Sequence, residues 1–343
     1  MKSFSSVLLD WYDQNKRDLP WRKSRDPYLI WLSEIILQQT RVAQGTGYYL
    51  RFAEHFPSPR SLADATEDEV LKFWQGLGYY SRARNLHTAA KSMNGVFPST
   101  YEGVRALKGV GDYTAAAICS IAYNMPYAVL DGNVYRVLSR VFCISVPIDS
   151  PAGKKEFSAL AQKLLDTKRV GDYNQAVMDF GAMVCTPKTP LCTACPLAGR
   201  CGAYKTGRVE DFPVKGQKTK IAVRRFHYIY VEQGPDTWLH KRGAGDVWQN
   251  LYEPVLVETP EEPADLSALP EYKMLFGRRK PVLLVKPVKH VLSHRIIYAD
   301  LYKVTLPPSF KIPPEFIRLS QTQVKDYAVS RLVQKLLEKA ELL

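Results

Sequence analysis

The apolar positions of the chain fall into two regimes. Up to about residue 205 they recur every three or four residues, the period of helices buried on one face. Asp26 as N-cap and Pro27 at the first helical position start a helix predicted to run on through IWLSEIILQQTRV. Thr66 followed by Glu67, Asp68 and Glu69 opens another, with acids in its first turn. Ser81 to Met93 predicts a basic helix carrying Arg82, Arg84, His87 and Lys91, and further helices are predicted over 114–122, 134–142, 154–165 and 174–184. The pattern then changes. TGRVEDFPVKGQKTKIA, residues 206–222, is polar and basic with Gly and Pro, which reads as a linker. Beyond it, 226–231, 282–285 and 296–304 suit strands, and 324–337 suits a late amphipathic helix. The expectation is a helical region over 1–205, a linker over 206–222, and an α+β region over 223–343 with a mainly antiparallel sheet.

One stretch breaks the helical rhythm twice. LKGVGDYTAAAICSIAYNMPYAVLDGN, residues 107–133, opens on a glycine turn, Gly109-Val110-Gly111, whose bare backbone N–H groups can converge on an anion. It closes on Asp131-Gly132-Asn133 at the start of the next helix. By itself Asp131 reads as a helix cap and the glycine turn as a connector.

Composition narrows the class. The 343 residues suffice for about two domains, and 46% hydrophobic residues can build real cores. A formal net charge of +13 points to a polyanion, either nucleic acid or an anionic membrane surface. No apolar run reaches the roughly 18 residues of a spanning helix. The N-terminus lacks a signal peptide's apolar core and carries Asp10 and Asp13, so the expected location is the cytoplasm, or the nucleus of a cell that has one.

Four of the six cysteines crowd together as C-x6-C-x2-C-x5-C: Cys185, Cys192, Cys195 and Cys201. In a reducing compartment that spacing reads as a metal centre, either zinc or iron–sulfur, and the presence of one CxxC rather than two leans to iron–sulfur. Cys119 and Cys143 lie in apolar helical stretches and read as buried, inert thiols. Lys188, Arg200, Lys205 and Arg208 surround the cluster and could meet phosphates.

LKGVGDYTA, DGNVYRVLSR and the four-cysteine spacing together resemble the helix-hairpin-helix DNA glycosylases of the endonuclease III group. SEIILQQTRV, DLPWR and GLGYYSRARNL narrow the resemblance to MutY-type adenine DNA glycosylases, and KRGAGDVWQNLYE and HVLSHRIIY continue it more loosely to the end of the chain. The resemblance implies a mainly α helix-hairpin-helix glycosylase region, made of a six-helix barrel and an iron–sulfur cluster loop, followed by a NUDIX-like α+β domain. It implies a 4Fe-4S cluster on the four cysteines. It also implies a monomer acting on double-stranded DNA, removing adenine mispaired with 8-oxoguanine in base excision repair, with no membrane partner.

The implied roles fall on particular residues. Glu34, among Trp31, Leu32, Ile35, Ile36 and Leu37, resembles the acid that protonates adenine; apolar surroundings raise a carboxyl's pKa as that task requires. Asp131 resembles the carboxylate that stabilises the oxocarbenium sugar, kept ionised by the helix it caps. Tyr113 and Asn133 resemble polar groups that orient them. Arg17, Trp21, Arg22, Leu37 and Gln175 correspond to the adenine pocket; Gln39, Thr40 and Tyr79 to residues at the widowed 8-oxoguanine; and Gly109 and Gly111 to the phosphate-binding hairpin. Members that also cut the backbone carry a lysine two residues after the second hairpin glycine. Here that position is Tyr113, so base removal without a lyase step is expected. In the second domain the family's Phe-Ser-His hairpin is Leu292-Ser293-His294, which leaves Ser293 and His294 to read the damaged base and puts the stacking contribution in doubt. No glutamate cluster follows Tyr252-Glu253, so NUDIX pyrophosphatase activity is not expected. Rival readings are a bifunctional endonuclease III-like enzyme, disfavoured by Tyr113 and the second domain, and a non-catalytic DNA-binding protein, disfavoured by Glu34 and Asp131 together.

Overall fold

The computed structural model describes residues 2–216 and 221–343. It divides into two compact units, one of Met1–Asp64 with Thr88–Lys218, the other of Ala65–His87 with Thr219–Leu343. In chain order the first unit supplies α1 (Phe4–Asn15), α2 (Pro27–Leu37), α3 (Val42–His55) and α4 (Pro59–Asp64). Helix α5 (Glu67–Trp74) and the start of α6 (Ser81–Ser92) cluster with the second unit. The first unit resumes with α7 (Tyr101–Ala106), α8 (Asp112–Tyr123), α9 (Gly132–Phe142), α10 (Pro151–Leu164), α11 (Val170–Met183) and the short α12 (Gly202–Lys205).

Side-chain capping explains six of the helix starts. Ser3, Asp26, Thr66, Thr100, Asp131 and Ser150 each accept a backbone N–H of the helix that follows. The long helix expected through Val42 is in fact two. Gln39 adopts φ 56°, a left-handed conformation, and the chain turns between α2 and α3. The first unit's core forms where α1, α8, α9 and α11 meet, around Leu8, Ala117, Val137, Phe157 and Phe180. A Cβ at Gly181 would lie 2.6 Å from the Asn133 Cβ, so that glycine lets α11 close on the start of α9.

The stretch read as a linker from residue 206 starts as packed structure. Phe212 is buried, the carbonyls of Val209 and Phe212 accept from the Arg140 guanidinium, and Ile148 donates its N–H to the Val214 carbonyl. The remainder of that stretch, 217–220, lies outside the described residues. Cys143 also differs from expectation. It ends α9 in a left-handed conformation and is exposed, whereas Cys119 is buried.

The second unit contains β1 (Ala222–Glu232), β2 (Asp236–Lys241), β3 (Tyr252–Glu253), β4 (Val255–Thr259), α13 (Pro270–Phe276), β5 (Val282–Val291), β6 (Arg295–Thr305), β7 (Phe316–Ser320) and α14 (Arg331–Lys339). One sheet runs β4-β1-β6-β5 and the other β3-β2-β7. Among the described strands every pairing is antiparallel except β1 with β6, which run parallel in register from Ala222↔Arg295 to Glu232↔Thr305. Phe226, Tyr228, Ile297 and Leu301 on the larger sheet pack against Leu332, Val333, Leu336 and Leu337 of α14. That helix is shorter than predicted. Val324 belongs to a separate 3-10 turn, and Ser330 caps a new start by accepting the Val333 N–H at 3.2 Å. Among the described residues no helix is long and apolar enough to cross a membrane.

Candidate active site and cysteine loop

The hairpin between α7 and α8 turns on Gly109 at φ 82°, with the Val110 N–H bonded to the Leu107 carbonyl at 3.0 Å. Gly111 caps α8 with no side chain, and nothing lies within 4 Å of where its Cβ would stand. Its backbone therefore faces open space at the positive end of a 12-residue helix, a geometry that accepts an anion. Gly111, Tyr113 and Leu130 line one cleft of about 450 Å³, so the hairpin shares a surface with the residue before Asp131.

Tyr113, on the first turn of α8, donates its hydroxyl to Glu34 at 2.9 Å and reaches the Met178 sulfur at 3.4 Å. Glu34 projects from α2, whose Trp31, Leu32, Ile35 and Ile36 are buried. Burial pushes the Glu34 carboxyl up to about 7; the Tyr113 hydrogen bond opposes this, the charge of Asp131 adds to it, and Arg22 opposes it. The same burial, with the charges of Glu34 and Asp131, holds the Tyr113 phenol well above its usual range, so it stays a donor. The three groups expected to act together are thus electrostatically joined although they come from three elements.

Asp131 caps α9 with one oxygen, accepting the N–H groups of Asn133 at 2.9 Å and Val134 at 2.8 Å. Its other oxygen accepts the Asn133 side-chain amide at 2.8 Å. The helix that it caps was expected to keep Asp131 ionised. Burial raises its pKa above the ordinary carboxylate value, while the hydrogen bonds of Val134 and Asn133 and the charge of Arg136 favour the ionised form. Asn133 is oriented in turn by Arg136, whose guanidinium also bonds the carbonyls of Gly181 and Cys185 at 2.7 Å each.

Arg17 and Arg22 converge on Asp179, a fully buried carboxylate of α11. Trp21 is buried with its ring edge-on to Tyr49 at 5.4 Å, Leu37 is half-buried, and the Gln175 amide bonds the Gly171 carbonyl of its own helix at 3.4 Å. Gln39 is exposed, and the Thr40 hydroxyl donates to the Gln38 carbonyl at 3.3 Å. Gln39 and Thr40 belong to the first unit, while Tyr79, Ser293 and His294 belong to the second. There the Tyr79 and Ser293 hydroxyls hydrogen-bond, and with His294 they line a cleft of about 580 Å³ walled by Trp248 and His290. Leu292 packs against the second unit's core beneath this hairpin. Sequence reasoning missed Asp179, Arg136 and Asn174. Asn174 is buried and bonds Ser120, the Val129 N–H and the Tyr127 carbonyl, fixing the strand of chain that leads to Asp131. A polar residue inside an apolar helical face was the available signal for Asn174 and Asp179.

The four clustered cysteines line one apolar cavity with Val141, Phe180, Val184, Leu191 and Leu197. Burial raises the thiols of Cys192, Cys195 and Cys201, Cys195 to about 11, and the neighbouring cysteine sulfurs raise each of them further. Four thiolates in such a place need a cationic centre to balance them, which is the donor set of an iron–sulfur cluster or zinc. Arg140 supports the loop, bonding the carbonyls of Thr186 at 2.7 Å and Pro187 at 3.0 Å and lying 3.5 Å from the Cys185 sulfur. Among the described residues no three His, Cys, Asp or Glu side chains are gathered as for a single metal ion.

Comparisons agree with this anatomy. Residues 32–166 match the HhH-GPD superfamily of base excision DNA repair proteins, and residues 227–339 match the NUDIX domain. An adenine DNA glycosylase of Buchnera aphidicola subsp. Acyrthosiphon pisum is 33% identical over 343 residues, 98% of this chain and 97% of that protein. The adenine DNA glycosylase of Mus musculus is 46% identical over 216 residues, 59% of this chain but 42% of its own length. The solved structure of a thermostable thymine-DNA glycosylase superposes with a TM-score of 0.56 at 30% identity, over 59% of this chain and 95% of that one. Hairpin, capped aspartate and cysteine loop thus define a helix-hairpin-helix base excision repair protein with a NUDIX-type second domain. Within that class, the chain belongs to the MutY-type adenine DNA glycosylases.

Proposed function

We propose that this protein is a monofunctional glycosylase that removes adenine opposite 8-oxoguanine in double-stranded DNA. The observation that carries the reading is the joined set of Glu34, Tyr113 and Asp131, with the Glu34 carboxyl raised to about 7. A group titrating there is part-protonated at neutral pH and can give its proton to a leaving base. Glu34 does so to adenine turned out of the stack, Tyr113 holds it in place, and Asp131 supplies negative charge to the oxocarbenium sugar. Arg136 orients Asn133, whose side-chain amide holds the second Asp131 oxygen in place. Arg17, Trp21, Arg22, Leu37 and Gln175 surround the base, and the backbone at Gly109 and Gly111 holds a phosphate. No amine occupies position 113, so the product is an abasic site rather than a cut strand. Tyr79, Ser293 and His294, which line one cleft of the second unit, contact the 8-oxoguanine left behind.

Cys185, Cys192, Cys195 and Cys201 hold a 4Fe-4S cluster in this reading. When bound, the cluster balances the four thiolates and cross-links the loop that Arg136 and Arg140 tie to α9. Iron and sulfide in stoichiometric amounts, with absorbance near roughly 400 nm, support it, and zinc in their place would sink it.

The deciding assay incubates the protein with duplexes holding 8-oxoguanine opposite adenine, with and without alkali afterwards. Free adenine together with strand breaks only after alkali is the expected result. Breaks without alkali, trapped by borohydride in high yield, would point to the bifunctional rival, and no adenine release to the non-catalytic one.

A further inference from the structure

The best-paired charge in the first unit is one that the reaction above leaves unused. Asp179 is fully buried, yet it accepts the Arg17 Nε at 2.9 Å and the Arg22 Nη1 and Nη2 at 2.7 and 3.0 Å, with a further bond from the Arg17 Nη2. Arg22 is pinned from two more sides, by the Arg17 carbonyl at 3.3 Å and by the Tyr12 ring, 5.7 Å from its guanidinium carbon. Gln175, Met178 and Asp179 stand three and four positions apart, so α11 turns all three to one side, where Met178 meets Tyr113. One buried carboxylate thus holds two guanidinium groups beside the reacting residues.

We propose that Asp179 is a positioning residue for adenine excision, holding Arg17 and Arg22 in the base pocket and cancelling one of their two charges at Glu34. This rests on the glycosylase reading above. The charged and titratable groups that act on Glu34 are Tyr113 of α8, Asp131 at the cap of α9, and Arg22 of the 3-10 turn Pro20–Arg22. Those that act on Arg22 are Asp179, Tyr12 and Glu34 itself. Arg22 draws Glu34 toward its ionised form, and Asp179 limits that pull by neutralising Arg22. Without the Asp179 charge, the Arg22 guanidinium has Glu34 as the next anion to pair with. Glu34 then gives up its proton at lower pH and fails as an acid at neutral pH.

The two sides of the charge balance predict opposite shifts. Single-turnover adenine release from the mispaired duplex is measured from pH 5 to 9 with enzyme in excess. In Asp179→Asn the alkaline limb of the profile moves down by about one pH unit. The rate at pH 8 therefore falls about tenfold further than the rate at pH 5.5. In Arg22→Gln the limb moves up, whatever happens to the absolute rate. Asp179→Glu keeps the charge and restores the limb. A loss in Asp179→Asn that is uniform with pH marks a purely structural role and overturns the proposal. Should Asp179→Asn fail to fold, Arg22→Gln decides alone, and an unmoved or downward limb overturns it. Failure of the unaltered protein to release adenine at any pH would instead sink the glycosylase reading, and this inference with it.

Discussion

Two carboxylates, one in each unit, show how neighbours assign a role. Glu34 accepts from the Tyr113 phenol, and burial carries it up to about 7. Asp246 in the second unit is also partly buried, which would raise it, but hydrogen bonds from Arg224 and the Val247 N–H and the charge of Arg242 hold it at about 2. Arg295 adds another bond at 3.0 Å from the first residue of β6. The same functional group is therefore held part-protonated near neutral pH in one place and ionised in the other. The difference lies in the number of guanidinium groups around it. Asp246 ties β1, the β2–β3 loop and the base of the 292–294 hairpin into one rigid support for Ser293 and His294.

The sharpest way to break this contrast is Glu34→Gln. The amide keeps the shape and can still accept from Tyr113, but it has no proton to give at any pH. The single-turnover rate of adenine release is expected to fall at least about 10³-fold, within the range for losing a positioned acid. Affinity for the mispaired duplex, read by fluorescence anisotropy, should stay within a few-fold. A residual rate near that of the unaltered protein would remove Glu34 from the chemistry.

The next effect is on stability, and its sign differs between the two groups. Glu34 has a folded pKa above its unfolded value, so ionising it destabilises the fold. That cost is absent below about pH 4.5 and complete above about pH 7. Glu34→Gln should therefore raise stability at pH 8 by about 2 kcal/mol, after discounting for its partial exposure, and leave it unchanged at pH 4. Asp246 is depressed, so its stabilisation is present above about pH 4 and is lost as pH falls toward 2. Asp246→Asn should cost about 2 kcal/mol at pH 7, because it leaves three guanidinium groups short of a partner. Urea titrations at the two pH values test both, and shifts of the same sign at pH 8 would contradict the contrast.

How much of this was readable beforehand follows sequence distance. The Asp131 cap and the Gly109 turn are local devices, and the residues that make them are neighbours in sequence. Glu34 became legible through the resemblance; by pattern alone an acid in an apolar helix reads more readily as an exposed one. The pairing of Asp179 with Arg17 and Arg22 joins residues 162 and 157 positions apart, which no local pattern reports. The same holds for Arg136, which bonds the carbonyls of Gly181 and Cys185, residues far along the chain from it. Two of the errors were boundary errors with local causes. Gln39 takes a left-handed turn that splits a predicted helix, and Ser330 caps a new one where an unbroken helix had been expected. Ala65–His87 clusters with the second unit because Lys241, Tyr252 and Asn250 hydrogen-bond Asp68 and Glu67, contacts that helical periodicity cannot reveal.

The smallest expected effect tests the second unit as a reader rather than a catalyst. His294 is exposed at the tip of the β5–β6 hairpin, beside a Ser293 hydroxyl already bonded to Tyr79. Leu292 beside them is half-buried and packs its apolar side chain against the core, so in the proposed reading the hairpin meets a base through polar groups rather than an aromatic stack. Loss of one hydrogen-bonding side chain to a base edge is worth about 1–3 kcal/mol. His294→Ala should then reduce the preference for 8-oxoguanine over guanine opposite adenine by about tenfold, at the low end of that range because the site is open to water. The rate on the guanine mispair and the alkaline limb of the pH profile should both hold, since Glu34 and its neighbours are untouched. A drop in both rates by the same factor would show that the hairpin supports the fold or general DNA binding, and the division between a chemical unit and a reading unit would fail.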